Sequence, residues 1–338
     1  MNPSMKTSAR QESHRILVLG KIHRAGIERL QAAGGFEVIA RPDDPSDLAE
    51  QARSAEAIIV RATPIDRALL VGAPRLRLVA RHGVGYDSVD VDALSERGIP
   101  LALTGDVNSG AVAEHTLALM LALAKRIVQH DRAIREDRFA ERDHFSAVEL
   151  DGRRILVIGF GRIGRRVAAL CRAFGMAVRV FDPFLTAAAV EQAGYRHSTD
   201  LDAALADADW VSLHLPKTPQ TRGLIGQERL ARMRPGAFLV NVARGGLVDE
   251  AALVEALDTG RLAGAGLDVF ETEPLAPDHP LAAREDVVLS PHAAALTSEC
   301  AQRMALACAD NVIAFFAGQP DPTRIVNREV LAPGASPS

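Results

Sequence analysis

The sequence predicts an α/β protein of two doubly wound parallel sheets, and three observations predict it. Short apolar runs of strand length alternate with stretches of helical apolar spacing through most of the chain, the pattern that lays helices on both faces of a parallel sheet. The alternation comes in two similar layers, and 338 residues are long for one domain but natural for two. Residues 153–182, RRILVIGFGRIGRRVAALCRAFGMAVRVFD, read as strand, glycine turn, helix, strand and terminal acid in that order.

The first layer occupies residues 15–103. RILVLG is a strand, Ile22 to Ala33 an amphipathic helix, and FEVIA, AIIVR and LRLVA are further strands. Val89 to Arg97 reads as a helix and IPLAL as a fifth strand. The turn-rich stretch RHGVGYDSVD at 81–90 places Gly83 and Gly85 around Val84. It either offers backbone N–H groups to an anion or is a plain strand-to-helix loop. A long helical pattern then begins at Asn108, NSGAVAEHTLALMLALAKRIVQHDRAIRE, with Leu117, Met120, Leu121 and Ala124 on one apolar face. Such a face belongs either to a buried crossing helix or to an oligomer contact. The polar stretch after it reads as a surface connection. Beyond the glycine unit, WVSLHLP, AFLVNVA, LAGAGLDVF and VVLSPH continue the second sheet, with helical patterns at 226–233 and 249–259. TSECAQRMALACADNVIAFFAG is a closing helix, and the tail APGASPS reads as disordered.

Each part of the 153–182 unit has a physical job. The apolar run ILVI suits a strand buried on both faces. Gly159 makes a tight turn, Gly161 lets backbone approach a pyrophosphate, and Gly164 lets helix pack on strand. The helix start presents unpaired N–H groups and a partial positive charge to phosphates. Asp182, eighteen residues after Gly164, can accept hydrogen bonds from ribose hydroxyls and would repel a 2′-phosphate. The unit therefore points to a dinucleotide, NAD in preference to NADP.

Three charged or titratable residues follow predicted strands of the second layer: Arg244 after FLVNVA, Glu273 after LDVFET and His292 after VVLSP. Ligands of open α/β sheets bind outside the carboxyl ends of strands. Arg244 supplies a planar fork of donors for a carboxylate. His292 can exchange a proton near neutral pH, and a carboxylate beside it, Glu273, would stabilise its imidazolium. Reversible oxidation of a 2-hydroxy acid needs such a trio. Against this, most of the ten histidines must be surface or structural, as His115, His130 and His214 read, and Arg244 alone could be a loop ion pair.

Composition narrows the remaining classes. The net charge is −4 with no basic tract, so no nucleic-acid partner is expected. No apolar run approaches membrane-spanning length, and the polar start MNPSMKTSARQESHR has no secretory apolar region. Cys171, Cys300 and Cys308 lack the spacing of a metal site or disulfide framework, and Cys171 reads as a core residue. The expectation is a reduced, cytoplasmic protein without a metal.

Seven stretches carry a resemblance: HGVGYDSVDVDALSERGI, NSGAVAEHTLALMLAL, GFGRIG, HLPKTPQTRGLI, NVARGGLVDEAAL, GLDVFETEP and SPHAAALT. Together they cover most of residues 76–298, and the sequence resembles the D-isomer-specific 2-hydroxyacid dehydrogenase family, among them phosphoglycerate dehydrogenases and hydroxypyruvate reductases. The resemblance implies a Rossmann nucleotide domain, residues 106–297, inserted into a flavodoxin-like substrate domain of residues 1–105 plus 298–338. It implies Arg244, Glu273 and His292 as the catalytic trio of an NAD-dependent enzyme. It also implies substrate contacts at Val84, Gly85, Arg244 and His292, with the carboxylate held by backbone at Val84 and Gly85, and Arg61 is a further candidate substrate contact. Cofactor contacts are implied at Val84, Gly159, Gly161, Arg162, Ile163, Gly164, Asp182, Leu215, Pro216, Val242, Ala243, Arg244, Asp268, His292 and Ala294. It further implies a homodimer formed through the helix at 108–137. Glu273 fits hydroxyacid enzymes, whereas in formate dehydrogenases the histidine's partner resembles a Gln. Many relatives carry Gly where this sequence has Ala294 or Ala295, and the sequence is expected to lack the long C-terminal extension of some phosphoglycerate dehydrogenases. Arg61, Arg81 and His82 could face an anionic substrate tail or be solvated loop charges. A phosphoglycerate, or a glycerate- or hydroxypyruvate-like acid, is the favoured substrate. The alternative is an NADH-responsive binding protein resembling the corepressors that share this fold.

Overall fold

The computed structural model describes residues 13–41 and 48–331. Most of the polar start and the whole APGASPS tail lie outside the described residues. The chain divides into two compact units, Met1–Asn108 with Ser298–Ser338, and Ser109–Thr297.

The first unit runs β1 (His14–Leu19), α1 (Arg24–Ala33), β2 (Phe36–Arg41), α2 (Leu48–Ser54), β3 (Ala57–Val60), α3 (Arg67–Gly72), β4 (Leu78–Arg81), α4 (Val91–Glu96) and β5 (Leu101–Ala102). The five strands are parallel in the order β2-β1-β3-β4-β5, the 2-1-3-4-5 order of flavodoxin-like sheets. Helices α2 and α3 have seven and six residues, too few to establish a helical period in the sequence. Side-chain caps fix the starts of α3 and α4: Asp66 accepts from the Leu69 N–H at 2.8 Å and Asp90 from the Ala93 N–H at 2.9 Å. Alternate residues of β1, β3 and β4 bury against opposite faces. Leu17, Ile58 and Val79 meet Leu70 and Leu94 on one side.

The second unit runs α5 (Ser109–Ala124), α6 (Ile127–Arg135), β6 (Arg154–Ile158), α7 (Arg162–Ala173), β7 (Ala177–Phe181), α8 (Ala187–Gln192), β8 (Arg196–His197), α9 (Leu201–Asp207), β9 (Trp210–Leu213), α10 (Gln227–Arg232), β10 (Ala237–Asn241), α11 (Glu250–Asp258), β11 (Leu262–Leu267) and β12 (Val287–Leu289). Its seven parallel strands lie in the order β12-β11-β10-β9-β6-β7-β8. Counted from β6, that is the doubly wound 3-2-1-4-5-6 order with a seventh strand, and it reverses between β6 and β9. The chain then returns to the first unit with α12 (Ser298–Phe316). There Cys308 and Val312 cover the other sheet face, over Ile16, Val18, Ile59 and Ala80. Helix α1 crosses α12 at Gly26, where a Cβ would lie 2.7 Å from the Ala305 carbonyl oxygen.

The pattern at 108–137 corrects one expectation. It forms two helices, not one, broken at Arg126, whose φ of 51° is left-handed. Ten of the sixteen residues of α5 are buried, so it is the crossing helix. It sits close over β11 because Gly264 and Gly266 lack side chains: a Cβ at either would lie 3.2 and 3.1 Å from Leu123 and Leu119 atoms. In α6 only Ala133 is buried, while Ile127, Val128 and Ile134 are exposed. Phe139 and Phe145, in and after the short 3₁₀ turn Phe139–His144, are exposed too. Apolar residues keep a four-residue spacing across the break, Leu123 to Ile127 and Ala124 to Val128, so spacing alone could not reveal it. Cys171, Cys300 and Cys308 are buried free thiols. Among the described residues no helix is long and apolar enough to cross a membrane.

Candidate active site

The glycine loop joins β6 to α7 at the point where the strand order reverses. Gly159 has φ 91°, and a Cβ there would lie 2.4 Å from the His214 carbonyl oxygen. A Cβ on Gly164 would lie 2.0 Å from the Gly159 carbonyl oxygen. Both glycines are thus required by the packing of the loop itself. Gly161 differs: no atom lies within 4 Å of where its Cβ would be, and it precedes α7 with no side-chain cap. Open space in front of uncapped N–H groups, at the start of a twelve-residue helix, fits a pyrophosphate. Arg162 and Ile163 form the first residues of that helix. Asp182 closes β7, and its carboxylate accepts from the Phe160 N–H at 2.8 Å and the Phe184 N–H at 3.0 Å. It is therefore anchored to the glycine loop, with lone pairs left for ribose hydroxyls. Beyond β9, His214 precedes Leu215 and Pro216. Its Nε2 lies 2.8 Å from the Ser212 hydroxyl, and burial pushes its imidazole down to about 3.

The carboxyl ends of β10, β11 and β12, three neighbouring strands, carry the predicted trio. Asn241 ends β10 and braces the turn that follows. Its side-chain amide donates to the Arg244 carbonyl at 2.9 Å, and its side-chain oxygen accepts from the Ala243 N–H at 3.0 Å. Val242 and Ala243 are buried within that turn. Gly245 follows because a Cβ there would lie 1.6 Å from the Phe270 carbonyl oxygen. The Arg244 guanidinium donates to the Ala243 carbonyl at 2.6 Å. After β11, Glu273 accepts from the Phe270 N–H at 3.1 Å through one oxygen. Its other oxygen lies 2.7 Å from His292 Nδ1, so the structure brings these two residues into direct contact.

His292 follows β12 with a left-handed φ of 51°, and its N–H donates to the Asp268 carbonyl at 2.8 Å. The Asp268 carboxylate is fully buried. It accepts from the Ser290 hydroxyl, the Ala293 N–H at 2.8 Å and the Ala294 N–H at 2.9 Å. His115 of α5 reaches the same place, with Nε2 2.8 Å from Ser290 Oγ and 3.5 Å from Asp268 Oδ1. Burial pushes the Asp268 carboxyl up, but the bonds from His115, Ser290, Ala293 and Ala294 together hold it below the usual carboxylate range. The resemblance supplies Asp268 but not His115, Ser290 or Asn241. A single imidazole inside the apolar run of α5 was the available signal for His115.

The first unit holds the remaining predicted contacts at its own strand ends. Arg61 follows β3 and donates to the Lys21 carbonyl at 3.1 Å. Val84 and Gly85 lie in the loop after β4, next to Gly83 at φ 136°. His82 is buried. That burial, and then the charges of Arg61 and Arg81, push its imidazole down to about 4. Burial chiefly keeps His82 neutral, and the two arginines beside it give the loop a positive potential suited to an anion.

A family model described as D-isomer specific 2-hydroxyacid dehydrogenase, NAD binding domain, matches residues 117–294. The chain is 44% identical over 309 residues to a D-3-phosphoglycerate dehydrogenase of Mycobacterium tuberculosis, covering 88% of this chain and 58% of that one. It is 41% identical over 329 residues to a glyoxylate reductase of Aeropyrum pernix, covering 94% of this chain and 97% of the relative. Among solved structures, the D-lactate dehydrogenase of Aquifex aeolicus complexed with NAD and lactic acid superposes with a TM-score of 0.84 at 30% identity. That match covers 94% of this chain and all of the other. The chain spans about three-fifths of the length of the curated phosphoglycerate dehydrogenases it matches.

Proposed function

Because the chain belongs to the D-isomer specific 2-hydroxyacid dehydrogenase family and carries its NAD-binding domain, we propose that it is an NAD-dependent oxidoreductase interconverting a 2-hydroxy acid and its 2-keto acid. The observation that carries this reading is the 2.7 Å contact between Glu273 and His292, in the loops after β11 and β12, the two strands next in order beyond β10, which ends before Arg244. We assign the cofactor to the Gly159–Gly164 loop, the α7 start, Asp182, and the loops holding Leu215, Pro216, Val242 and Ala243. Bound there, the nicotinamide supplies or accepts the hydride. Arg244 holds the substrate carboxylate through its planar donor fork. In reduction, His292 gives a proton from Nε2 to the keto oxygen, and in oxidation it takes one back. Glu273, bonded to Nδ1, fixes the ring and offsets the charge of the imidazolium. In the first unit we assign Arg61 and the Val84–Gly85 turn to the acid's tail and carboxylate.

The substrate we favour is a phosphoglycerate, or a glycerate- or hydroxypyruvate-like acid. The names of two relatives and the positive loop around His82 support it. Consumption of NADH with glyoxylate, hydroxypyruvate, its phosphorylated form and pyruvate tests the whole reading. Turnover of at least one is expected. NADH binding without turnover of any would replace the enzyme with a dinucleotide-responsive binding protein.

Cofactor choice follows from Asp182. Wild type should prefer NAD, and Asp182→Ala should narrow that preference roughly tenfold, the scale of about 1.5 kcal/mol for one charge-assisted hydrogen bond. The check is kcat/KM with each cofactor, and equal wild-type efficiency would remove Asp182 from the selection.

We also propose a homodimer that forms through α6 and the turn after it, not through α5. Five large apolar side chains, Ile127, Val128, Ile134, Phe139 and Phe145, are exposed there. Ile134→Asp with Phe139→Asp should yield monomers in sedimentation, whereas an unchanged mass would move the interface elsewhere. Three free thiols favour a reducing compartment such as the cytoplasm.

A further inference from the structure

We propose that His115 and Ser290 are positioning residues that act through the buried Asp268 carboxylate to hold the loop carrying His292. The inference rests on the functional reading above for the role of His292.

A buried carboxylate is expensive unless its oxygens are met by donors. Three of the donors to Asp268 come from one short segment: the Ser290 hydroxyl and the N–H groups of Ala293 and Ala294. The Asp268 carbonyl takes a fourth, the His292 N–H. Residues on both sides of His292 are thus gathered onto Asp268 at the end of β11. Within that grip His292 adopts a left-handed backbone, which a histidine on a free loop would seldom choose.

His115 closes the arrangement from outside. It stands 175 residues away in sequence, on α5, with Nε2 2.8 Å from Ser290 Oγ. With its proton on Nε2, His115 donates to Ser290 Oγ, and the Ser290 hydroxyl is directed onto Asp268. Loss of the imidazole frees that hydroxyl to rotate and takes a donor group away from the buried charge. The carboxylate then holds the loop less well, and His292 loses its fixed place. Nothing in this chain of contacts requires His115 to touch the substrate or cofactor.

His115→Leu and Ser290→Ala test it, with His115→Gln and Ser290→Thr as rescues, since Gln places an amide donor near the position of Nε2. In the first pair kcat for keto-acid reduction should fall roughly ten- to hundredfold, the scale for misplacing a reacting group by about an ångström. KM for the keto acid and the dissociation constant for NADH should stay within about threefold of wild type. The rescues should recover most of kcat. A second readout does not need turnover: in histidine-labelled protein without cofactor, the His292 ring resonances should shift or broaden in His115→Leu and return in His115→Gln. Unmoved resonances with unchanged kcat would overturn the proposal. So would a uniform loss of thermal stability, NADH binding and kcat that Gln does not rescue, because His115 would then only brace α5. If His115→Leu fails to fold, Ser290→Ala and His115→Gln carry the comparison. A wild-type protein with no turnover on any acid would sink the functional reading alone, leaving the resonances to decide the loop contacts.

Discussion

Replacing His292 with Asn should lower the rate of keto-acid reduction by roughly 10²- to 10⁴-fold, the usual contribution of a positioned proton donor. Asn suits this test because it tolerates the left-handed backbone that His292 occupies, so the loop keeps its path. Within this loop the Asp268 contacts come from Ser290, Ala293, Ala294 and the backbone N–H of residue 292, and the substitution spares all of them. NADH affinity should therefore stay within a few-fold of wild type. Single-turnover rates of NADH oxidation, with a fluorescence titration of NADH binding, separate chemistry from binding. A loss smaller than tenfold would take proton transfer away from His292.

Replacing Arg244 with Lys should cost about 2 kcal/mol or more in kcat/KM, the scale of one charge-assisted hydrogen bond. The charge survives, but the fork that can meet both oxygens of a carboxylate does not. The turn supporting the residue is rigid: Asn241 bonds it twice, and Gly245 admits no side chain against Phe270. A lysine cannot reach the same place by moving the backbone, so neither a shorter nor a more flexible cation is accommodated. Keto acids should suffer through KM as well as kcat, while NADH binding changes much less. Near-normal turnover by Arg244→Lys would place the carboxylate elsewhere.

The legible parts of the chain were those whose physical signal is local. Strands β6 and β7 were legible because each is a short, mostly apolar run with a sharp end, ILVI before Gly159 and AVRVF before Asp182. Arg244, Glu273 and His292 were legible because each follows an apolar run of strand length, FLVNVA, LDVF and VVLSP. Helices α2, α3, α8 and α9, with six or seven residues, were not read from the sequence, since so short a stretch completes barely two turns. Strand β8 has two residues and no signal at all. The break at Arg126 was hidden because apolar spacing continues across it while the backbone does not. His115 and Ser290 were illegible for a different reason. Their value lies in one hydrogen bond between residues far apart in sequence, and no spacing rule reports such a pair.

The division of the first unit between the two ends of the chain bears on the order in which the protein is made. Strands β1 to β5 are made before the second unit, yet the face formed by Ile16, Val18, Ile59 and Ala80 is completed by Cys308 and Val312 of α12, which are made after it. The second unit has all its strands once Thr297 has emerged, so it can close while the first still waits with one apolar face uncovered. Such an interval is the period in which a nascent chain is most exposed to aggregation and to chaperones. A chain halted after residue 297 should accordingly retain slow amide exchange in β6, β7, β9 and β10 but lose it in β1, β3 and β4. Protected exchange in β1 of that shortened chain would mean that the early sheet stands without its closing helix.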